Sequence, residues 1–123
     1  MDLYKKEEYY KIVGLCMEVH NVLGGGLSEI IYKDALEIEF KNNNIPYERE
    51  KPYSISYKGH NIAHKYFADF VVYDEIIFEV KAIKEIITDN VTQTLNYMKL
   101  ADSQVGIIAN FNIKTLQHKR IVI

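Results

Sequence analysis

Asp69, Glu79 and Lys81 fall in FADFVVYDEIIFEVKA, residues 67–82, a stretch otherwise dominated by Val, Ile and Phe. Two carboxylates and an ammonium are group types that can hold a hard divalent cation, polarise a phosphodiester and activate water. The stretch reads as a β-hairpin, and a period of two puts Glu79 and Lys81 on one face. Asp69 joins them only in some registers. A three-residue turn, Tyr73-Asp74-Glu75, pairs residue 72 with 76 and sets Asp69 opposite Glu79, whereas a two-residue turn at Asp74-Glu75 pairs Asp69 with Val80. In the first register the carboxylates repel unless positive charge lies between them. Lys81 supplies some of it, and a divalent cation fits better. Glu-x-Lys alone is uninformative, since Glu39-Phe40-Lys41 repeats it. Outward-facing Glu79 and Lys81 on a half-exposed strand would need no function.

The elements that must position these groups follow from the periodicity. Tyr9, Ile12, Val13, Cys16, Val19, His20 and Leu23 recur at helical spacing and predict a helix over about 3–23, ended by Gly24-Gly25-Gly26. Ser28 can cap a second helix over about 28–42, with Ile31, Ala35, Leu36 and Phe40 as its apolar stripe. The period then changes to two. A strand from Tyr47 to Tyr57 carries Pro46 and Pro52 near its start, which suits a sheet edge or a bulge. The hairpin strands are expected at 62–73 and 76–83, and a third helix at about 89–101, capped by Thr88 or Asp89. VGIIANF (105–111) reads as a strand covered on both faces, and LQHKRIVI (116–123) as a last strand.

Composition narrows the function. A length of 123 residues, 48% of them hydrophobic and 26% charged, suits one soluble domain over residues 1–123. No apolar run is long enough for a membrane span, and MDLYKKEEYY lacks the apolar core of a signal peptide, so a cytoplasmic protein is expected. Cys16, the single cysteine, excludes an internal disulfide and a multi-cysteine zinc site, and reads as a packed thiol. A net charge of -2 leaves any nucleic-acid contact to a local basic patch, a bridging metal, or both. His60 and His64 would stand roughly 13 Å apart in a strand and do not form a chelate. His20, on the apolar stripe of the first helix, reads as a core histidine that could also border a site. The triple glycine follows a helix and lacks Gly-Lys-Ser/Thr, so it is a turn and no phosphate loop.

An Asp in one strand followed by Glu-x-Lys in the next, here Asp69 and Glu79-Val80-Lys81, resembles the signature of the PD-(D/E)XK nuclease superfamily. The helix, three strands, helix, strand order of residues 28–111 is similar to its core. GLSEIIY (26–32) further resembles the motif of the GxxExxY protein family, with Gly26, Glu29 and Tyr32 in place, as do VHNVLGGG, YKGH, ADFVV, EVKA and GIIANF around it. The resemblance spans about residues 12–123. It implies a restriction-endonuclease-like α/β fold with a central mixed sheet, αβββαβ order, an extra N-terminal helix and a C-terminal strand. It also implies a nuclease that uses Mg2+ or Mn2+ to hydrolyse phosphodiester bonds, with DNA as the first choice of substrate and RNA as the second. Asp69, Glu79, Glu29 and the Val80 carbonyl would hold the metal, and Lys81 would be the catalytic lysine. Gln93 and Tyr97 match a Gln-x-x-x-Tyr pattern on the helix that borders such sites. Their angular position on that helix points away from its Val91, Leu95, Met98 stripe, but Leu100 lies with them, which allows a helix covered on two sides. Phe67 stands where relatives carry a basic residue before Ala-Asp. Ten tyrosines suit a homodimer or a partner protein that adds grip. The alternative is a non-catalytic nucleic-acid-binding or protein-interaction module that retains the fold.

Overall fold

The computed structural model describes residues 5–112 and 114–123, so residues 3 and 4 of the expected first helix lie outside it. Helices α1 (Lys6–Leu23) and α2 (Glu29–Asn42) precede strands β1 (Tyr47–Tyr57), β2 (His60–Val72) and β3 (Ile76–Lys81). Helix α3 (Thr88–Ala101) then crosses to β4 (Val105–Phe111), and β5 (Leu116–Val122) follows. The five strands lie in the order β1-β2-β3-β4-β5. Only β3 and β4 run parallel, because α3 returns the chain between them; the other neighbours are antiparallel. This mixed five-stranded sheet with flanking helices is the α/β, restriction-endonuclease-like arrangement that the sequence predicts. The proline-bearing β1 sits at an edge, and its pairing with β2 is irregular between Ser54 and Ser56.

Two apolar clusters fix the layers. On one face, Ile12, Cys16 and Val19 of α1 and Tyr32, Leu36 and Phe40 of α2 pack on Phe70, Val72, Phe78, Val80, Ile107 and Phe111. On the other, Tyr97 and Met98 of α3 pack on Val71, Ile77 and Ile108. Strand β4 is therefore buried along its whole length, as its unbroken apolar run predicts. Gly106 lets α3 approach it closely, because a Cβ there would come within 2.6 Å of Met98 Sδ. The α2 stripe is corrected by one position. Ile31 is exposed, and Tyr32 takes its place ahead of Leu36 and Phe40. The cap of α3 is also corrected: Asn90 Oδ1 accepts the Ile87 N–H at 2.8 Å, so the side chain reaches back from inside the helix. Cys16 is fully buried, and burial pushes its thiol pKa up, which suits a packed group. Among the described residues no helix is long and apolar enough to cross a membrane.

The glycine turn gives part of the GLSEIIY motif a physical reading. Gly24 and Gly26 have φ of +73° and +93°, where a side chain is strained. The Tyr32 hydroxyl donates to the Gly24 carbonyl at 2.7 Å and accepts the Leu27 N–H at 3.1 Å. Its buried ring stacks on Phe111 with centroids 4.4 Å apart. One side chain thus pins the turn to the sheet and sets where α2 begins. Tyr32→Phe keeps the ring and removes both bonds, and is expected to lower stability by about 1–3 kcal/mol in urea denaturation. Unchanged stability would show that the clamp carries no weight.

Candidate active site

The hairpin has the three-residue turn. Val72 pairs with Ile76, Val71 with Ile77 and Phe70 with Phe78, which brings Asp69 beside Glu79. Beyond Phe70 the backbone ladder opens, and side chains bridge the gap. Glu79 Oε2 accepts the Asp69 N–H, and Asp69 Oδ2 accepts the Val80 N–H, both at 2.8 Å. Each carboxylate is fixed by the other strand. A residue's N–H and C=O lie on the same edge of a strand, so the Val80 carbonyl faces the same gap.

The opening coincides with a reversal of faces. Tyr47 of β1 and Phe70 and Val72 of β2 belong to the cluster under α1 and α2, whereas Tyr53 and Ala68 belong to the cluster under α3. Strict alternation would keep each set on one face. At the point of change Glu50 has φ +53°, a left-handed conformation unusual for its residue type. Lys33 of α2 closes the arrangement from above. Its Nζ donates to Asp69 Oδ1 at 3.1 Å and to Glu50 Oε1. Burial pulls the Lys33 pKa down, but the bonds to Glu50 and Asp69 outweigh it and leave the pKa raised, so the ammonium stays charged.

Glu79 is only 2% exposed. Burial, and then the neighbouring Asp69 charge, push its pKa up to about 8. Lys81, two residues along the same face, donates to Gln93 Oε1 of α3 at 3.2 Å. Tyr97, one turn further along α3, is pushed up to about 12 by burial and then by Glu79 and Asp69, so its phenol stays neutral. Its ring also belongs to the cluster under α3, together with Met98. Gln93, away from the core stripe, is exposed, whereas Tyr97 is buried on a second side of the helix. The helix turns its Tyr97 edge into both the core and the site.

The structure brings together Asp69, Glu79, Val80, Lys81, Gln93 and Tyr97. Glu29 is not gathered with Asp69 and Glu79 into a three-acid group among the described residues. Lys33, one turn later on α2, contacts Asp69 instead. No group of three His, Cys, Asp or Glu converges among the described residues. The donor set nevertheless suits a hard dication. Asp69 and Glu79 each present a carboxylate to one gap, no hydrogen bond among the described residues uses Glu79 Oε1, and the raised Glu79 pKa marks a place where positive charge is wanted.

Sequence reasoning missed three residues. Lys33 carried a signal, since it lies four residues after Glu29 on one helix face. Glu50 could be found only from the β1–β2 register, in which Arg49 pairs with Phe70 and Lys51 with Ala68. Asn110 is the lone polar side chain in its apolar strand and is fully buried. Its Oδ1 accepts the Ile83 N–H at 2.8 Å and its Nδ2 donates to the Ile83 carbonyl at 2.9 Å, which anchors the chain just after Lys81. His20 is bonded through Nε2 to the Asn112 carbonyl at 2.7 Å, an architectural tie between α1 and the end of β4.

The model of the PD-(D/E)XK nuclease superfamily matches residues 6–121. Among solved structures, SSO0001 is similar in fold, with a TM-score of 0.59 and 21% identity over 75% of this chain and 48% of that one. The chain thus spans about half the length of that protein. No curated protein matches it. With residues 6–121, nearly its whole length, covered by the match, the chain belongs to the PD-(D/E)XK nuclease superfamily.

Proposed function

We propose that this chain is a divalent-metal-dependent nuclease of one domain that hydrolyses phosphodiester bonds in DNA, and that its narrower place is the GxxExxY family. The observation that carries the reading is the pairing of Asp69 with buried Glu79, each locked to the other strand, with Lys81 on the same face. Asp69, Glu79 and the Val80 carbonyl would hold Mg2+ or Mn2+, and Glu29, one turn before Lys33, is a further acid toward that set. The bound cation would polarise the scissile phosphate and lower the pKa of an attacking water. Lys81 presents its ammonium beside the carboxylates, where it stabilises charge that builds on the phosphate or orients the water. Gln93 restrains that ammonium and acts as a positioning residue. Neutral Tyr97 supplies a hydroxyl donor next to the acids. Asp69 and Glu79 stay in place through backbone donors whether or not a cation is present.

The test is cleavage of single-stranded, double-stranded and branched DNA, and of RNA, with Mg2+ or Mn2+. Wild type is run beside Lys81→Ala from the same purification. Cutting by the wild type alone supports the reading; no cutting of any substrate by either protein opposes it.

One observation favours a second reading, a binding module without turnover. Lys33 already pairs with both Asp69 and Glu50, so these acids have a partner without metal. Lys33→Met separates the two. The substitution is expected to lower metal-free stability by about 2 kcal/mol, less than for a fully buried pair because Glu50 is half exposed. For a nuclease it should also enlarge the rise in Tm on adding Mg2+, since Asp69 is freed for the cation. A Tm that ignores Mg2+ in both proteins favours the module.

A further inference from the structure

The chain carries 17 acidic and 15 basic residues, yet none of the acids lies between Lys51 and Ala68. That segment holds Lys51, Lys58 and Lys65, with His60 and His64 between them, and forms most of β1 and β2. Its outer part is largely uncovered: every residue from His60 to Phe67 is exposed. The nine steps along the strand from Asp69 out to His60 span roughly 30 Å. Exposed apolar side chains on such an arm need a reason. Tyr57 is 60% exposed, Phe67 51%, Tyr66 43% and Ile62 40%.

The face reversal at Glu50 and Asp69 decides which way these groups look. Tyr53 pairs with Tyr66 and Tyr57 with His60, so each pair shares a face. Tyr53 packs with the cluster under α3, and the Tyr66 ring meets Tyr97 edge-on with centroids 5.7 Å apart. Along β2, Ile62, His64 and Tyr66 follow at a period of two. One face of the arm therefore runs from Tyr97, beside Glu79, through Tyr53 and Tyr66, and resumes beyond the irregular pairing at Ser54–Ser56 with Tyr57 and His60 at the tip. Lysines accompany it. Lys51 lies over the Tyr53 ring at 5.9 Å, and Lys58 over Tyr57 at 5.4 Å.

We infer that this acid-free arm is the platform on which unpaired nucleotides of the substrate stack as they approach the site. Rings bind bases through their π-faces, which a duplex hides within its own stack and a single strand leaves open. Lysines spaced along the same ribbon meet the phosphates. The rest of the chain is net acidic and would repel a polyanion, so the arm is where charge complementarity exists. The inference rests on the nuclease reading for its substrate, but its test does not need turnover.

Binding of a labelled mixed-sequence single strand, and of a duplex of equal length, is measured by fluorescence anisotropy in EDTA, where nothing is cut. The proteins are wild type, Tyr57→Ala, Lys51→Gln with Lys58→Gln, and Lys119→Gln on the opposite sheet edge as control. Tyr57 sits exposed at the tip, so its removal spares the fold, and thermal melts verify this. Expected are a preference for the single strand, a loss of about tenfold with Tyr57→Ala, and a salt slope shallower by about 1.4 for the lysine pair. The control should bind as wild type. In Mg2+ the arm variants should need more substrate for half-maximal cleavage, with the saturating rate kept.

Arm variants that bind and cut like wild type overturn the inference and leave the nuclease reading standing. Wild type that binds through the arm but cuts nothing does the reverse. Failure to bind either strand form, preference for the duplex, or arm variants that break a dimer without changing strand binding each overturn the inference.

Discussion

Replacing Lys81 with alanine is expected to lower the cleavage rate at saturating substrate by about 10²–10⁴-fold, the range for removing a positioned acid–base group or charge stabiliser. The Lys81 ammonium lies on the Glu79 face of β3 and is restrained by Gln93. Little structural damage should accompany the loss, because Lys81 is half-buried at a strand end whose backbone pairs with β4 through Asn110. The Mg2+-induced rise in Tm should survive, since Asp69 and Glu79 remain. That combination distinguishes lost chemistry from a lost metal. Lys81→Arg should recover only part of the rate, because a guanidinium keeps the charge but cannot surrender a proton. Gln93→Ala is expected to cost about tenfold, since the lysine keeps its charge and loses a restraint. Rapid-quench single-turnover kinetics measure all three. A Lys81→Ala enzyme within threefold of wild type would place the lysine outside the chemistry.

The parts of the fold that were legible in the sequence are those governed by local period. Tyr9 to Val19 at helical spacing, the alternation after Tyr47 and the unbroken VGIIANF each have one good physical solution, and the structure adopts it. The hairpin register was legible only conditionally, because nothing local distinguishes a two-residue turn from a three-residue one. Left-handed Tyr73 and Asp74 accommodate the longer turn, and that choice sets Asp69 beside Glu79. Glu50 was not legible, and Lys33 only as a neighbour of Glu29 on one helix face. Their meeting requires α2 to lie over the β1–β2 edge and Glu50 to take a left-handed φ, neither of which leaves a period in the chain. Tyr32 was misjudged for a related reason. Its neighbour Ile31 is the better hydrophobe, but only a hydroxyl can satisfy both Gly24 and Leu27. Tyr97 likewise belongs to core and site at once, a double duty that helical angles alone cannot reveal.

Without metal, the protein should become less stable as pH rises from about 5 to 8, and Glu79→Gln should remove much of that decline. An unfolded glutamate loses its proton near 4.5, whereas burial and the Asp69 charge hold the proton on folded Glu79 up to about 8. Between those values the folded state binds more protons than the unfolded one, so stability falls with pH. Below the lower value both states are protonated and the group has no effect. By pH 8 the accumulated cost is of the order of 4 kcal/mol. Glutamine keeps an oxygen to accept the Asp69 N–H and carries no charge, so the variant should be the more stable protein at pH 8 and close to wild type at pH 5. Mg2+ changes the sign of the comparison. A dication between the carboxylates stabilises ionised Glu79, so wild type should gain Tm at pH 8 while the glutamine variant gains little. Urea denaturation at pH 5 and 8, each with EDTA and with Mg2+, gives the four values needed. Equal pH dependence in the two proteins would mean that Glu79 does not carry the linkage, and equal gains from Mg2+ would mean that the cation binds elsewhere. The same burial that makes Glu79 a burden to the empty fold therefore makes it a strong recruiter of positive charge, and Lys33 offsets only the Asp69 and Glu50 side of that demand.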